Sequence, residues 1–419
     1  MENQTFATLG LSTPLLRALE VAGYTEATPV QAQAIPEVLA GHDLMVCAQT
    51  GTGKTAAFML PALQRLGTDP VKQPRGAPRI LVLTPTRELA QQVTDAAMKY
   101  GKFLRHASVA AIVGGVSYIQ QNRALAQSLD ILVATPGRLT DHLTRGRLDL
   151  SRVELLVLDE ADRMLDMGFV EAVEHIANAT PASRQTVLFS ATLDGAIARL
   201  AKRILREPKL ISVQGAKERH EHIEQRLHFV DDRAHKDRLL QHLLSDTDVK
   251  QAIVFTATKR DADTVAGALE FQGHAVAALH GDMNQHHRTR ALSAMKQGRI
   301  RVLVATDVAA RGIDVAGISH VINYDLPRDV ESYVHRIGRT GRAGAKGLAL
   351  SFAHRGERQL LARIEGFTGQ RIAAHVVPGF EPRVRVQEDA RGGRRSDRSR
   401  PSSGQQRDGR GRASPRGAR

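Results

Sequence analysis

The chain has 419 residues, 42% of them apolar, which is too long for one ordinary core and predicts two domains. Its net charge of +14 points to a polyanionic partner. The single cysteine, Cys47, excludes an internal disulfide, and no apolar run approaches the roughly 18 residues needed to span a bilayer. The opening MENQTFATLGLST has no basic segment leading into an apolar core, so a soluble, cytoplasmic protein with no membrane partner is expected.

In chain order, the first predicted strand is Leu44–Ala48, and it runs straight into AQTGTGKT, Ala48 to Thr55. This fits G-x-x-x-x-G-K-[ST] with Ala48 where the first glycine is usual. Gln49, Thr50, Gly51, Thr52 and Gly53 form a loop whose glycines let several N–H groups face one phosphate. Lys54 can reach the β- and γ-phosphates, and the Thr55 hydroxyl can ligate Mg²⁺. Further strands are predicted at Ile80–Thr84, Ile131–Thr135, Leu155–Asp159 and Thr186–Ser190. The fourth of these five ends in Asp159, Glu160 and Asp162, whose mutual repulsion calls for a neighbouring cation. After a phosphate loop that cation is Mg²⁺ on a nucleoside triphosphate, with Asp159 holding the metal directly or through water and Glu160 activating the attacking water.

A second series of apolar runs follows: Ala252–Thr256, Ala275–Leu279, Val302–Thr306, Val321–Tyr324 and Ala349–Phe352. Continuous runs of Val, Ile and Leu alternating with helical stretches predict parallel α/β structure. ILVLTPTREL resembles AIVFTATKRD at an offset of 172, and ILVATPGR resembles VLVATDVAAR at 171. Two matches at nearly one offset predict two related α/β domains in tandem. The predicted boundaries are residues 1–213, a polar linker at 214–220, a second domain at 221–378, and a tail at 379–419. No GTGKT loop recurs in the second half. It offers YVHRIGRTGRAG instead, where Arg336, Arg339 and Arg342 recur every three residues between glycines, suited to forking onto phosphate from another domain. From Arg391 to Arg419 ten arginines face only Asp397 and Asp408; the tail holds +8 of the +14, lacks core-forming residues, and is expected to be disordered and to bind RNA.

Taken together these motifs resemble a DEAD-box ATP-dependent RNA helicase, of the compact bacterial type, over roughly residues 6 to 378, with Asp159-Glu160-Ala161-Asp162 as the naming motif. The resemblance implies two tandem RecA-like domains that close on RNA when ATP and Mg²⁺ bind. GYTEATPVQ is similar to the adenine-reading motif, implying that Gln31 bonds the base, with Tyr24 and the upstream Phe6 packing near it. Pro85, Thr86 and Arg87 of PTRELA, Gly115 of the glycine pair, and Thr135, Pro136, Gly137 and Arg138 of TPGR match RNA-backbone contacts. In the second domain Arg288 and Thr306 match RNA contacts, while Arg311 and Asp314 match nucleotide contacts. Arg339 and Arg342 match the γ-phosphate arginines; Asp162, Ser190, Thr192 and His335 match residues that couple hydrolysis to unwinding. Ala27 replaces a usual proline and Met295 a frequent aromatic, neither in the chemistry. The resemblance also implies a monomer that acts on ribosomal precursors or mRNA-decay assemblies.

Two rival classes share parts of this pattern, a DNA-translocating helicase and an ATP-gated RNA clamp without net unwinding. The Gln31 motif and the DEAD sequence favour RNA over DNA. With aromatics at 4% and no tryptophan, binding is expected to follow the backbone rather than base sequence. Removing residues after Pro378 should lower RNA affinity at modest salt and flatten its salt dependence, read by filter binding across a salt series. Unchanged affinity would discard a role for the tail.

Overall fold

In ILVL at Ile80–Leu83, Ile80 and Val82 pack into one apolar cluster while Leu81 and Leu83 pack into another. AIVF at Ala252–Phe255 divides the same way, Ala252 and Val254 against Ile253 and Phe255. Alternate residues buried on opposite faces explain the continuous apolar runs, since a strand covered by helices on both sides has no face left for polar residues. Each such side chain contributes about 1.5–3 kcal/mol when fully buried.

The protein is described by a computed structural model over residues 4–48, 51–71, 73–104, 107–193, 195–213, 222–310, 315, 317–341 and 345–383. The predicted linker at 214–220 and the tail from 384 onward lie outside the described residues. Among the described residues are two seven-stranded sheets. The first holds β1 (Leu44–Cys47), β2 (Ile80–Leu83), β3 (Val109–Ile112), β4 (Ile131–Ala134), β5 (Leu155–Leu158), β6 (Gln185–Ser190) and β7 (Lys209–Ser212). The second holds β8 (Ile223–Phe229), β9 (Ala252–Phe255), β10 (Val276–Leu279), β11 (Val302–Ala305), β12 (His320–Asn323), β13 (Gly347–Ala353) and β14 (Ala373–Ala374). The orders are β3-β4-β2-β5-β6-β1-β7 and β10-β11-β9-β12-β13-β8-β14, with every pairing parallel. All ten predicted strands are present, and the fold class is the expected one of two tandem RecA-like lobes.

The repeat read from sequence is the repeat of the fold. β2 and β9 occupy the same place in their sheets, as do β4 and β11. The likeness extends to side chains. After β2, the Thr84 hydroxyl bonds the Thr86 carbonyl at 3.2 Å, and Thr86 caps the helix Arg87–Tyr100 through the Leu89 N–H. After β9, the Thr256 hydroxyl bonds the Thr258 carbonyl at 3.3 Å, and Thr258 caps Lys259–Phe271 through the Asp261 N–H. Such caps satisfy N–H groups that the first helical turn leaves open.

Four strands escaped the sequence reading: β3, β7, β8 and β14. Three are edge strands. KLIS of β7 is exposed at three of four positions, and β14 has only two residues, both exposed. β8, with β14 as its short outer neighbour, carries Glu224, Gln225 and Arg226 among its apolar residues. β7 and β8 interrupt the apolar run with polar residues, whereas β3, VAAI, is apolar throughout but only partly buried at its first three positions, as an edge strand can be.

His228 of β8 is buried, its Nε2 has no hydrogen-bond partner among the described residues, and its ring packs edge-on to Phe352. Burial, with repulsion from His375, pushes its pKa down to about 4. A group depressed on folding binds fewer protons than in the unfolded chain between about 4 and its ordinary value near 6.5, so stability is lost as pH falls through that window. Thermal unfolding between pH 7 and 5 should show this loss, and His228→Phe should be less acid-sensitive by about 1–2 kcal/mol. Equal acid sensitivity in the two proteins would contradict the assignment.

Candidate active site and nucleic-acid interface

The phosphate loop sits where β1 ends and the helix Lys54–Thr68 begins. Gly53 has φ +91°, and a Cβ there would meet Gln31 Nε2 at 2.3 Å, so this position requires glycine twice over. Gln31 uses both ends of its amide. Its Oε1 accepts the Thr28 N–H at 2.9 Å, completing the capping box of the helix Pro29–Leu39, and its Nε2 donates to the Gly53 carbonyl at 3.1 Å. The Thr28 hydroxyl donates to the Thr52 carbonyl at 2.7 Å. The Q-containing segment thus grips the loop directly.

A cavity of about 400 Å³ opens beside this loop, lined by Phe6, Tyr24, Gln31, Gly51, Gly53, Lys54, Thr55, Asp159 and Glu160 from the first lobe and by Arg339 from the second. At its aromatic end Tyr24 stands edge-on to Tyr100, ring centres 6.2 Å apart, with Lys99 over its face. A larger cavity of about 670 Å³ lies at the N-terminal ends of the central strands β2, β5 and β6, around Arg65, Arg79 and Arg184. None of the predicted site residues lines it, so the smaller cavity is the candidate site.

Asp159 and Glu160 follow β5 and are almost fully buried, Asp159 at 2% exposure and Glu160 at 5%. Their environments drive their protonation apart. Burial raises Asp159 to about 6, with the Glu160 charge adding to it and Lys54 offsetting part. Burial would raise Glu160 as well, but Arg163, Lys54, Arg339 and His335 together outweigh it and hold Glu160 at about 2. Arg163 Nη1 lies 2.8 Å from Glu160 Oε2. Glu160 also has a left-handed backbone, φ 54°, which costs a non-glycine residue about 1–3 kcal/mol and is characteristic of functional sites. Asp159 Oδ1 is buried with no hydrogen-bond partner among the described residues. A buried carboxylate oxygen beside an available hydroxyl at Thr55 is the donor set a hard divalent cation takes.

Asp162 does not face the cavity. Its Oδ2 accepts the Ala191 N–H at 2.9 Å, tying the acidic motif to the segment after β6, where Thr192 N–H reaches Ser190 Oγ at 3.2 Å. From the second lobe comes His335, half-buried, whose imidazole is lowered to about 4 by desolvation and by Arg163. Arg339 is 4% exposed and its Nε donates to the His335 carbonyl. Arg336, grouped with Arg339 by sequence spacing, points elsewhere: it lies on the helix Val330–Ile337 and forks onto Asp307 at 2.6 and 2.7 Å. The three-residue spacing does not turn the arginines one way, because the helix continues to Ile337 before glycine ends it.

The residues matched to nucleic-acid contacts gather at the C-terminal strand ends. Pro85, Thr86 and Thr135 are buried, and Pro136 and Gly137 open the helix Pro136–Thr144. Arg87 packs over Gly115, which has φ +73° and no room for a Cβ beside that guanidinium. Arg138 donates to the Val116 carbonyl at 2.8 Å and lies over Tyr118. Across the seam, Arg288 is buried and pairs with Glu88 at 2.8 Å, while Arg87 Nη1 reaches Gln285 Oε1 at 3.2 Å. Thr306 is half-buried at the end of β11. Burial lowers Arg87, and repulsion from Arg288 and Arg138 lowers it further, so three guanidiniums concentrate positive charge on one seam.

Gln49, Thr50, Arg311, Asp314 and Arg342 lie outside the described residues. Sequence reasoning passed over Arg163, Glu88 and Gln285. Arg163 carries a signal, a cation three residues beyond Glu160 on a helix; Glu88 and Gln285 lie in segments singled out for other neighbours.

Known proteins resemble this chain closely. The DEAD/DEAH box helicase family model matches residues 28–200, and the helicase conserved C-terminal domain model matches residues 235–344. The ATP-dependent RNA helicase SrmB of Escherichia coli K12 is 45% identical over 383 residues, 91% of this chain and 86% of the relative. The ATP-dependent RNA helicase DeaD of the same strain is 51% identical over 361 residues, 86% of this chain but only 56% of the relative. Among solved structures, Dbp5 of S. cerevisiae bound to RNA and ADP BeF3 aligns with a TM-score of 0.80 at 33% identity, over 88% of this chain and 95% of that one. With both lobes matched and the acidic strand end, phosphate loop and cross-lobe arginine assembled at one cavity, the chain belongs to the DEAD-box branch of the DEAD/DEAH box helicases.

Proposed function

We propose that this protein is an ATP-dependent RNA helicase that separates short duplexes or remodels RNA–protein complexes by closing its two lobes over one strand. The observation that carries this is the mixed ancestry of the cavity: Lys54, Asp159 and Glu160 come from one lobe and Arg339 from the other. A site built this way is complete only when the lobes meet.

Each residue then has a task its surroundings suit. Gly51 and Gly53 turn backbone N–H groups toward phosphate, and Lys54 supplies a buried cation for the terminal phosphates. Thr55 and Asp159 would hold Mg²⁺, which neutralises charge on the β- and γ-oxygens when bound. Glu160, kept ionised by Arg163, Lys54 and Arg339, orients the attacking water and accepts its proton. Arg339 stabilises charge on the departing γ-phosphoryl, as does Arg342, an assignment resting on sequence alone. Gln31 reads the adenine while sensing the loop through Gly53, and Phe6 and Tyr24 flank the base. Asp162, Ser190, Thr192 and His335 pass the state of the γ-phosphate to the lobe seam. Arg87, Gly115, Arg138, Arg288 and Thr306 hold the RNA backbone, with Arg288 also clasping Glu88. Loss of the γ-phosphate removes what Arg339 was holding, the lobes part and RNA leaves. Among the described residues no helix is long and apolar enough to cross a membrane. Monomeric action on ribosomal precursors or mRNA-decay assemblies in the cytoplasm belongs to the same proposal.

Glu160→Gln should keep ATP binding and retain RNA while the ATPase rate falls by about 10²–10⁴. The check is a steady-state phosphate-release assay beside an RNA-retention assay; a near-native rate would refute the water-activating role. Arg288→Glu should weaken RNA-dependent lobe closure by about 2–5 kcal/mol, and the swap Glu88→Arg/Arg288→Glu should recover part of it. The measurement is RNA affinity with a non-hydrolysable ATP analogue. No recovery in the swap would show that Arg288 acts on RNA alone.

A further inference from the structure

The second lobe has no glycine-rich loop, yet it keeps the plan of the first lobe's nucleotide site. Following the registers outward from Ile80 in one sheet and Ala252 in the other, Leu158 falls on Asn323 and Leu44 on Arg226. The second match is an offset of 182, and the same offset carries Lys54 to Lys236 and Thr55 to Asp237 with no gap. The residues after β5 and β12 correspond as well, Asp159 with Tyr324 and Glu160 with Asp325. Four positions that serve phosphate and metal in one lobe therefore have counterparts in the other.

The counterparts bond to one another. Lys236, 5% exposed, pairs through Nζ with Asp325 Oδ1 at 2.7 Å. The Tyr324 hydroxyl donates to Asp237 Oδ1 at 2.7 Å. The helix Arg233–Leu244 begins three residues before Lys236, whereas the helix Lys54–Thr68 begins at its lysine, so helical backbone occupies the place of the phosphate cradle. Its N-terminal donor is used internally, the His235 N–H reaching Asp232 Oδ1 at 2.8 Å.

Asp325 makes two further bonds that point outward from this quartet. Its Oδ2 accepts the Ala257 N–H at 3.0 Å, on the loop after β9 that lies among the RNA-side motifs. Its carbonyl accepts Arg336 Nη1, and Arg336 forks onto Asp307, the neighbour of Thr306. Arg336 belongs to the helix that also presents His335 to the first lobe and leads directly to Arg339.

We propose that this quartet is a nucleotide site turned inward, in which Lys236 and Asp325 are positioning residues that link the RNA-side loop at Ala257 to the helix carrying His335 and leading to Arg339. The proposal deepens the helicase reading and rests on it. RNA settling on the Ala257 loop is transmitted through Asp325 to Arg336, and so to the arginine that completes the ATP site. Charge pairing with the partly exposed Asp325 does for Lys236 what phosphate does for Lys54: it keeps a buried charge satisfied.

The test is the ATPase rate of the full chain with and without a single-stranded homopolymer RNA. Asp325→Ala removes the acceptor for both Ala257 and Lys236. Its RNA-stimulated rate should fall about tenfold while its RNA-free rate stays within about twofold of native. The double variant Lys236→Met/Asp325→Asn removes both charges but keeps an acceptor for Ala257, and should recover stimulation to within about threefold of native. Unchanged stimulation in Asp325→Ala, equal losses with and without RNA, or a double variant no better than Asp325→Ala would each overturn the link. Lys54→Ala is the control for the underlying reading: it should abolish both rates, and if it does not, the failure lies with the assigned ATP site and not with Asp325.

Discussion

Two carboxylates buried side by side at the end of one strand are stable only if cations surround them, and here the cations come from both lobes. Lys54 and Arg163 belong to the first and Arg339 to the second. Arg163 and Lys54 give the larger part of the offset to desolvation at Glu160, and Arg339 adds to it when the lobes meet, so electrostatics at this point favours the lobes being together. The environment also separates the two acids: Asp159 rises to about 6 while Glu160 is held at about 2. One is left with an unsatisfied oxygen for a metal, the other is fixed in the form that accepts a proton.

The same closure that gathers cations around the acids brings Arg87, Arg138 and Arg288 near one another on the adjoining seam. Glu88 pairs with Arg288 across that seam, and the charge of Arg87 and Arg138 beside the pair suits a polyanion. Two ligands of opposite demand are thus written into one motion: nucleotide is needed where acids meet arginine, RNA where arginines crowd. Neither seam is satisfied by the other's ligand, which is the physical basis for an ATPase that answers to RNA.

Much of this was legible in the sequence because phosphate chemistry constrains residue type tightly. GTGKT, the DEAD tetrad and the HRIGRTGR segment have few alternative uses at their spacings, and the strands behind them are marked by uninterrupted Val, Ile and Leu. Legibility failed where three-dimensional context decides. β7 is an edge strand exposed at three of its four positions, and β14 is an edge strand of only two residues. Arg336 shares the three-residue rhythm of Arg339 yet turns into its own lobe to meet Asp307, since a helix projects residues three apart along a face whose neighbours the sequence does not name. Lys236 and Asp325 gave no signal at all: without glycines there is no motif, and only the shared register of the two sheets reveals what they replaced.

The central claim is that the catalytic centre exists only when the lobes meet. Fluorescence energy transfer between dyes at Met98 on the first lobe and Phe271 on the second, both exposed, measures this directly in a chain whose native Cys47 has been replaced by serine. The account predicts one high-transfer population when a non-hydrolysable ATP analogue and single-stranded RNA are both present, and its loss in Arg339→Ala. A transfer distribution unmoved by the two ligands, or equally high in the Arg339 variant, would contradict it.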